Sequence, residues 1–479
     1  MMLILPALLV AVILLARWYS KPRTIPAYKG EGFFSFLSDA HDYAVKPISL
    51  IRRAQSQCGN IFSIQILTVH NVWLRGNELN KAYLDMPEKA WSFGHGMGIF
   101  LNKILDPGYM DNIRVMVGSL SRYINRATAQ AHMAKCTVEE THRCALEWTT
   151  KTDVELFDGV SELTHKVIVR TLMGDDFYKS SEELLGLLHA MESDIGSIWS
   201  FVLPDWVPHP PARRLHRARE RVKEIFWEKL SQRHVAAKNG DLETDLPDYI
   251  THTLHEQSMA PLRHFLPSHH TVLMFAAHTS TVAAISWVVV CLLRHPDVMA
   301  AVKRDARNGN TDSALLQACI KETMRYYAGM KCLRLAMQEV PVPGTDIIVP
   351  KGSVVSISPY LTHHDPANYP NPDTWMPGRW LNAENKLVNL EEKDGNSVKS
   401  MLFGGGSHRC PGEKMAMIIV TQTLTTLLRS YDVTWASPDQ PRTVDFEDLD
   451  FDKVGSPWLK GDLKVKVSRR KWPEIMAGC

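Results

Sequence analysis

The stretch best equipped for chemistry is FGGGSHRCPG, residues 403–412. Three successive glycines from Gly404 permit a backbone that turns tightly and approaches a flat ligand closely. Cys410 follows that turn, and Gly412 opens a predicted helix at EKMAMIIVTQTL. A thiolate that binds metal needs a lowered pKa, which nearby backbone N–H groups and a helix N-terminus supply. Without its flanks, a cysteine in a glycine-rich loop reads as a buried structural thiol.

Two further constellations carry polar groups where apolar ones would be expected. Residues 268–294, SHHTVLMFAAHTSTVAAISWVVVCLLR, predict a long apolar helix broken in its middle by His278, Thr279, Ser280 and Thr281. Those hydroxyls either bond back to carbonyls one turn earlier or mark where the helix passes a site that needs protons. Glu322 and Arg325 sit three apart on a second helix, capped by Asp312 or Ser313 and running to about Tyr327, so they share a face. Taken alone, such a pair reads as a solvated surface ion pair of little energetic consequence.

The elements that must position these groups are mainly helical. Periodicity is helical from about 110 to 240, and residues 212–233 form an amphipathic helix with Leu215, Val222, Phe226 and Leu230 along one side. Strands are predicted as a hairpin over 61–75, as a set over 338–358 turning at Pro343-Gly344, and in the tail at YDVTWA and LKVKVSRR. The fold class is therefore mainly α with small β-sheets (α+β). The chain has 479 residues, 45% of them hydrophobic, and no linker, charge run or internal repeat. It reads as one large domain, residues 31–479, behind an N-terminal tail. The net charge of +2, with no basic stripe interleaved with aromatics, excludes a general nucleic-acid binder. The eight cysteines lie far apart, with no C-x-x-C, which argues against a disulfide scaffold and structural zinc.

Residues 1–20 begin with the apolar run MMLILPALLVAVILLA, followed by Arg17, Lys21 and Arg23. The run falls short of the ~20 residues of a comfortable span, but Trp18 and Tyr19 extend it to interfacial depth. Basic residues after the run, rather than before it, favour an anchor with a cytosolic flank over a cleaved signal peptide. Pro22 and Pro26 make residues 21–30 a stiff hinge. The Pro-broken apolar loop over 198–211 reads as core packing, or as a second membrane contact and substrate doorway.

The flanks of Cys410 resolve its role. Phe403, Gly406, Cys410 and Gly412, as F-x-x-G-x-x-x-C-x-G, resemble the haem-binding signature of the cytochromes P450. Glu322-x-x-Arg325 resembles that family's E-x-x-R pair. Pro377-Gly378-Arg379-Trp380 resembles the segment that completes its ion-pair network, and helix 268–294 resembles the helix crossing above the haem. The likeness covers about residues 25 to 470 and implies the cytochrome P450 fold. It is nearest to the sterol demethylases, which similarly use His-Thr-Ser, here His278-Thr279-Ser280. Phe93-Gly94-x-Gly96 and the stretch 358–380 are also similar to theirs. The departures are Phe275-Ala276 where those enzymes carry A-G, a bulk expected to crowd the distal pocket, and an altered loop over 98–114. A relative that oxidises another sterol methyl, at C4 rather than C14, is therefore favoured, with sterol 14-alpha-demethylation or a fatty-acid or xenobiotic substrate as alternatives.

The resemblance implies haem b held by Cys410 and a haem loop of Phe403, Gly404 and Gly412. His408 and Arg334 would contact the haem propionates, with Arg122 assigned to the contact left by a missing W-x-x-x-R. Thr279 and His278 would deliver protons, and Glu322, Arg325 and Arg379 would be structural. Phe93, Phe275 and Ala276 would line the substrate pocket. The chain has no G-x-G-x-x-G nucleotide fingerprint, so NADPH would act only through a separate membrane-bound P450 reductase. Lys399, Arg409 and Lys414 would face that partner. The expected location is the endoplasmic reticulum membrane, in contact with membrane lipid, with the catalytic domain cytosolic. Two rival readings are an enzyme that rearranges hydroperoxides without O₂ and a non-catalytic haem carrier.

Overall fold

A computed structural model describes residues 25–30, 35–66, 69–195, 207–239, 247–310, 312–390, 398–439, 444–451, 453 and 455–470. The expected anchor at 1–20, residues 21–24 of the hinge and most of the apolar loop 198–211 lie outside these residues. The described chain is mainly helical with several small sheets, as the patterning predicts. It divides into two compact units. One comprises Met1–Phe100, Ala328–Thr374 and Asn389–Cys410, and the other Leu101–Tyr327, Trp375–Val388 and Pro411–Cys479.

The first unit is built on a five-stranded sheet. The predicted hairpin is Ile61–Ile66 against Val69–Leu74, antiparallel, with Phe62 opposite Trp73. Val354–Ile357 runs parallel to the second hairpin strand, Cys332–Ala336 pairs antiparallel with it, and Trp91–Ser92 forms the far edge. β-Branched and aromatic residues suit this pleated surface, and Phe62, Val72, Trp73, Val355 and Ile357 are fully buried. The turn expected at Pro343-Gly344 is present, with Gly344 at φ +78°. The sheet sets Arg334, on the strand Cys332–Ala336, opposite Val355.

The second unit is organised around the helix Leu266–Arg294, two residues longer at its start than predicted. It packs against the helices Leu156–Leu172, Ala314–Tyr326 and Glu413–Ser430. Among the described residues the stretch Gln257–Arg294, which contains it, is long and apolar enough to cross a membrane, yet 78% of its apolar window is buried. It is therefore a core helix, as an all-round apolar sequence demands inside a large protein. The helix predicted at 212–233 spans Pro210–Asn239 and buries Leu215, Val222 and Phe226. Ser313 is the observed cap of Ala314–Tyr326, its side chain accepting from the N–H of Leu316. A small sheet of Val154–Glu155, Lys464–Arg469 and Tyr431–Trp435 contains the predicted tail strands.

Candidate active site

In the first unit the glycines of the 403–412 loop answer a steric demand. Gly404 and Gly406 stand at φ +72° and +63°, where a side chain is strained. A Cβ on Gly405 would lie 2.8 Å from Leu84 Cδ1, and one on Gly406 would lie 2.6 Å from the Leu84 carbonyl oxygen. The loop thus rests on the backbone of Leu84 and closes with the Cys410 N–H donating to the Phe403 carbonyl at 2.8 Å. Cys410 is exposed, whereas Cys136, Cys144, Cys291 and Cys319 are buried. Burial pushes the thiols of Cys136 and Cys332 up to about 11 and those of Cys144 and Cys291 up to about 12. Such thiols stay protonated and make poor ligands. Cys479 lies outside the described residues.

The same unit brings three predicted residues together. His408 stacks on Phe93, ring centroids 5.0 Å apart, and its Nε2 lies 2.9 Å from Glu88 Oε2. Burial, then the nearby positive charge of Arg334, lowers the His408 pKa. Arg334 is 1% exposed; its guanidinium donates to the carbonyls of Met86 at 2.8 Å and Leu84 at 3.3 Å and stacks on the ring of Tyr83. Among the described residues no carboxylate forms an ion pair with it. A buried guanidinium in that state favours an anionic partner. Gly96, in the predicted F-G-x-G run, is needed because a Cβ there would come within 3.0 Å of the Arg334 backbone. Glu88, which the sequence reading missed, ties this corner together. It accepts from the Ser92 hydroxyl at 2.6 Å and from the N–H groups of Phe93 and Gly94 at 3.0 Å. Burial pushes its carboxyl up, but these hydrogen bonds outweigh burial and hold it below the ordinary range.

In the second unit the Glu322–Arg325 pair is fully buried, not solvated as it reads in isolation. Both side chains are 0% exposed, and Arg325 clasps Glu322 with Nε and Nη2 at 2.9 Å each. Arg379 Nε adds a bond at 3.0 Å, as expected, and the Met376 N–H another at 2.8 Å. The Trp380 indole supplies a fifth donor at 2.9 Å, which sequence reasoning did not assign. Gly412 caps the helix Glu413–Ser430.

The long helix of this unit places the remaining predicted residues. Its positions outside the fully buried set recur at Val272, Ala276, Ser280 and Ala284, with Ala277 beside them. Ala276 is the exposed one, while Phe275, expected to crowd a pocket, is 4% exposed and packs into the core. The physical reason is the one-residue rotation of 100° that separates these neighbours on a helix. His278 is fully buried, with Nε2 3.0 Å from Ser161 Oγ. Burial, then the neighbouring His165 and His189, lowers its pKa to about 3, so it is neutral. Thr279 donates its hydroxyl to Glu192 Oε1 at 2.8 Å. Arg122 pairs with Glu256 and reaches Ser258, so its cation is already matched. The geometry lends the assigned propionate contact no support.

An exposed cysteine on a glycine loop, a buried arginine without a carboxylate and a histidine donor beside it fit an iron porphyrin with thiolate ligation and propionate anions. The chemistry of this donor set, in a mainly helical fold stiffened by a buried Glu-Arg-Arg network, defines a haem-thiolate protein. The family profile described as Cytochrome P450 matches residues 43–464. Cytochrome P450 monooxygenase pynD of Aspergillus niger is 46% identical over 91% of each chain. Cytochrome P450 monooxygenase pyvB of Aspergillus violaceofuscus is 44% identical over 90% of this chain and 88% of its own. A sterol 14-alpha demethylase of Aspergillus flavus is 31% identical over 58% of each. The chain belongs to the cytochrome P450 family and is a haem-thiolate monooxygenase.

Proposed function

We propose that the chain oxidises a methyl group of a lanosterol-type sterol, C4 favoured over C14, with electrons from NADPH delivered by a separate P450 reductase. The observation that carries the sterol reading is the His278-Thr279-Ser280 run on the long helix, the same three residues the sterol demethylases use. Each cycle consumes one O₂, two electrons and two protons, inserting one oxygen into a C–H bond and releasing the other as water. Cys410 would hold the haem as its thiolate ligand, and that haem, when bound, would supply the activation of O₂.

The chain's own residues bind, orient and move protons. Arg334 and His408 direct donors at the propionates. Gly404 to Gly406 hold the Cys410 loop against Leu84 without a side chain between. Thr279, fully buried with its hydroxyl donated to Glu192, would hold a proton at Oγ1, and His278 orders the helix beside it through Ser161. Ala276 presents a small surface to substrate, and Phe275 sets the helix rotation that keeps it there. Lys399, Arg409 and Lys414, all exposed, form the docking charges for the reductase. Residues 1–20 anchor the protein in the endoplasmic reticulum membrane.

A second reading, a substrate that is not a sterol, rests on identity. The relatives at 46% and 44% carry names that mention no sterol, and the sterol demethylase matches over little more than half its length. Reconstitution with P450 reductase, NADPH and lanosterol, followed by mass spectrometry, separates the readings. Oxidation at C4 with the C14 methyl retained supports the proposal. Loss of the C14 methyl makes the chain a 14-alpha-demethylase. No product overturns the sterol reading and sends the search to fatty acids and xenobiotics.

A further inference from the structure

A column of oxidisable rings runs through the second unit, from the middle of the long helix to the surface. It begins at Trp458, whose indole N–H donates to the Thr279 carbonyl at 3.0 Å. The preceding residue, Pro457, accepts from the Trp287 indole N–H at 2.8 Å, and the Phe157 ring packs against Trp458 at 5.8 Å and Trp287 at 5.2 Å. A short path of covalent bonds and one hydrogen bond therefore joins the two indoles. Trp287 lies nearly parallel on Tyr327, with 9° between planes and 3.9 Å between centroids, closer than the about 4.5–7 Å usual for aromatic pairs. Tyr327 meets Tyr326 at 4.9 Å. Trp458, Trp287 and Tyr327 are buried, while Tyr326 is partly exposed. Core packing accounts for the burial of these rings, but not for an unbroken run of the residue types that most readily lose an electron.

We propose that this column is an electron relay, through which Tyr326 at the surface supplies electrons to the haem site when hydrogen peroxide arrives and no substrate takes its oxygen. This rests on the haem-thiolate assignment and on the reading above that the long helix faces the substrate. Each peroxide takes up two electrons and two protons and leaves as two waters. Each electron starts on Tyr326, whose phenol loses one electron through the column and one proton to water, leaving a neutral phenoxyl radical. A reductant in solution, such as ascorbate, returns one electron and one proton to it. Two such passes turn one peroxide into two waters and one ascorbate into dehydroascorbate.

The surroundings give the relay a direction. Each indole N–H points at a carbonyl oxygen, whose negative end stabilises the positive charge of a ring short of one electron. Lys453 lies over Trp458 at 4.4 Å, so positive charge is less stable there than on Trp287. Burial pushes the Tyr327 phenol up and keeps its proton in place. The radical therefore passes Tyr327 and settles on Tyr326, where water takes the proton. Neutral once deprotonated, it is not repelled by the Arg325 guanidinium 5.7 Å from its ring.

The test mixes the haem-loaded, substrate-free full chain with hydrogen peroxide, with and without ascorbate, as wild type, W287F, Y327F and Y326F. Electron paramagnetic resonance of rapidly frozen samples reads the tyrosine radical. Mass spectrometry of a spin-trap adduct reads its position, and loss of haem absorbance reads damage. The wild type should form a tyrosine radical trapped on Tyr326, and ascorbate should both remove the radical and slow haem loss. W287F, Y327F and Y326F should lose the Tyr326 adduct and lose haem faster than wild type. Y326F removes one oxygen atom at a partly exposed position, so it decides the matter where a buried substitution fails to fold. A wild-type haem spectrum that responds to peroxide with no adduct on Tyr326 would overturn the proposal and leave the haem reading intact. A Tyr326 adduct at wild-type yield in both W287F and Y327F would overturn it too, because the electron would then travel by another route. A haem spectrum that ignores peroxide altogether would overturn the oxygen-handling reading on which the proposal rests.

Discussion

The Trp380 indole N–H donates to Glu322 Oε2 at 2.9 Å, beside the two bonds by which Arg325 clasps the same carboxylate. Glu322 is thereby surrounded by donors from its own helix and from the segment 376–380, with no access to water. The arrangement converts a sequence-local pair into the fastener that holds the Pro377–Trp380 turn to the helix Ala314–Tyr326. Its energetic importance lies in what removal leaves behind: two guanidinium groups in a dry site without their counter-ion.

Glu322→Ala should therefore cost about 3–5 kcal/mol and yield little haem-loaded protein. Trp380→Phe removes one donor and no charge, so a cost of about 1–3 kcal/mol is expected, with haem retained. The ratio of haem absorbance to protein, with thermal melting of the loaded fraction, checks both. Normal haem content in Glu322→Ala would mean that the network does not support the site.

The glycine loop makes a second prediction. Gly406→Ala places a Cβ 2.6 Å from the Leu84 carbonyl oxygen at φ +63°, so the loop must move. Strain of about 1–3 kcal/mol at that backbone conformation adds to the clash. Haem content should fall sharply. Gly186→Ala is the contrasting control: it sits within the helix Ser181–Ile195 with nothing within 4 Å. It should stabilise the chain by about 0.5–1 kcal/mol, read as a higher melting temperature.

Buried histidines should make the second unit lose stability in acid. Burial lowers His269 to about 3, and burial with neighbouring histidines lowers His165 and His278 to about 3. In the unfolded chain each titrates near about 6.5. Folded values below unfolded ones mean that the unfolded state binds more protons between about pH 6.5 and 3, so stability is complete above that window and falls as pH drops through it. Each histidine contributes a slope of about 1.4 kcal/mol per pH unit. Urea melts at about pH 7 and pH 5 should show the loss, and His165→Gln should flatten it. An unchanged slope in that variant would exclude His165 as a contributor.

Much of this was readable because local patterns and global fold agree. The hairpin over 61–75, the tail strands and the helix capped by Ser313 follow from alternation, periodicity and capping. The burial of Glu322 was not readable from the pair itself, since exposed and buried E-x-x-R spacings look alike; the surrounding motif decided it. The phase of the long helix was also hidden. A helix apolar all round has no preferred face, so whether Phe275 or Ala276 reaches the surface depends on neighbours distant in sequence. Glu192 and Glu88 were missed for a related reason. Glu192 meets Thr279 across 87 residues, and Glu88 is one acidic residue in a surface-like stretch until the turn at Phe93 closes over it.

The account stands or falls on Cys410 as the iron ligand. The measurement is the carbon monoxide difference spectrum of reduced, haem-loaded protein for the wild type, Cys410→Ser and Cys332→Ser. The wild type and Cys332→Ser should show the thiolate-type band with one haem per chain, and Cys410→Ser should lose the band. A thiolate-type band that survives in Cys410→Ser would contradict the assignment and move the ligand to another cysteine.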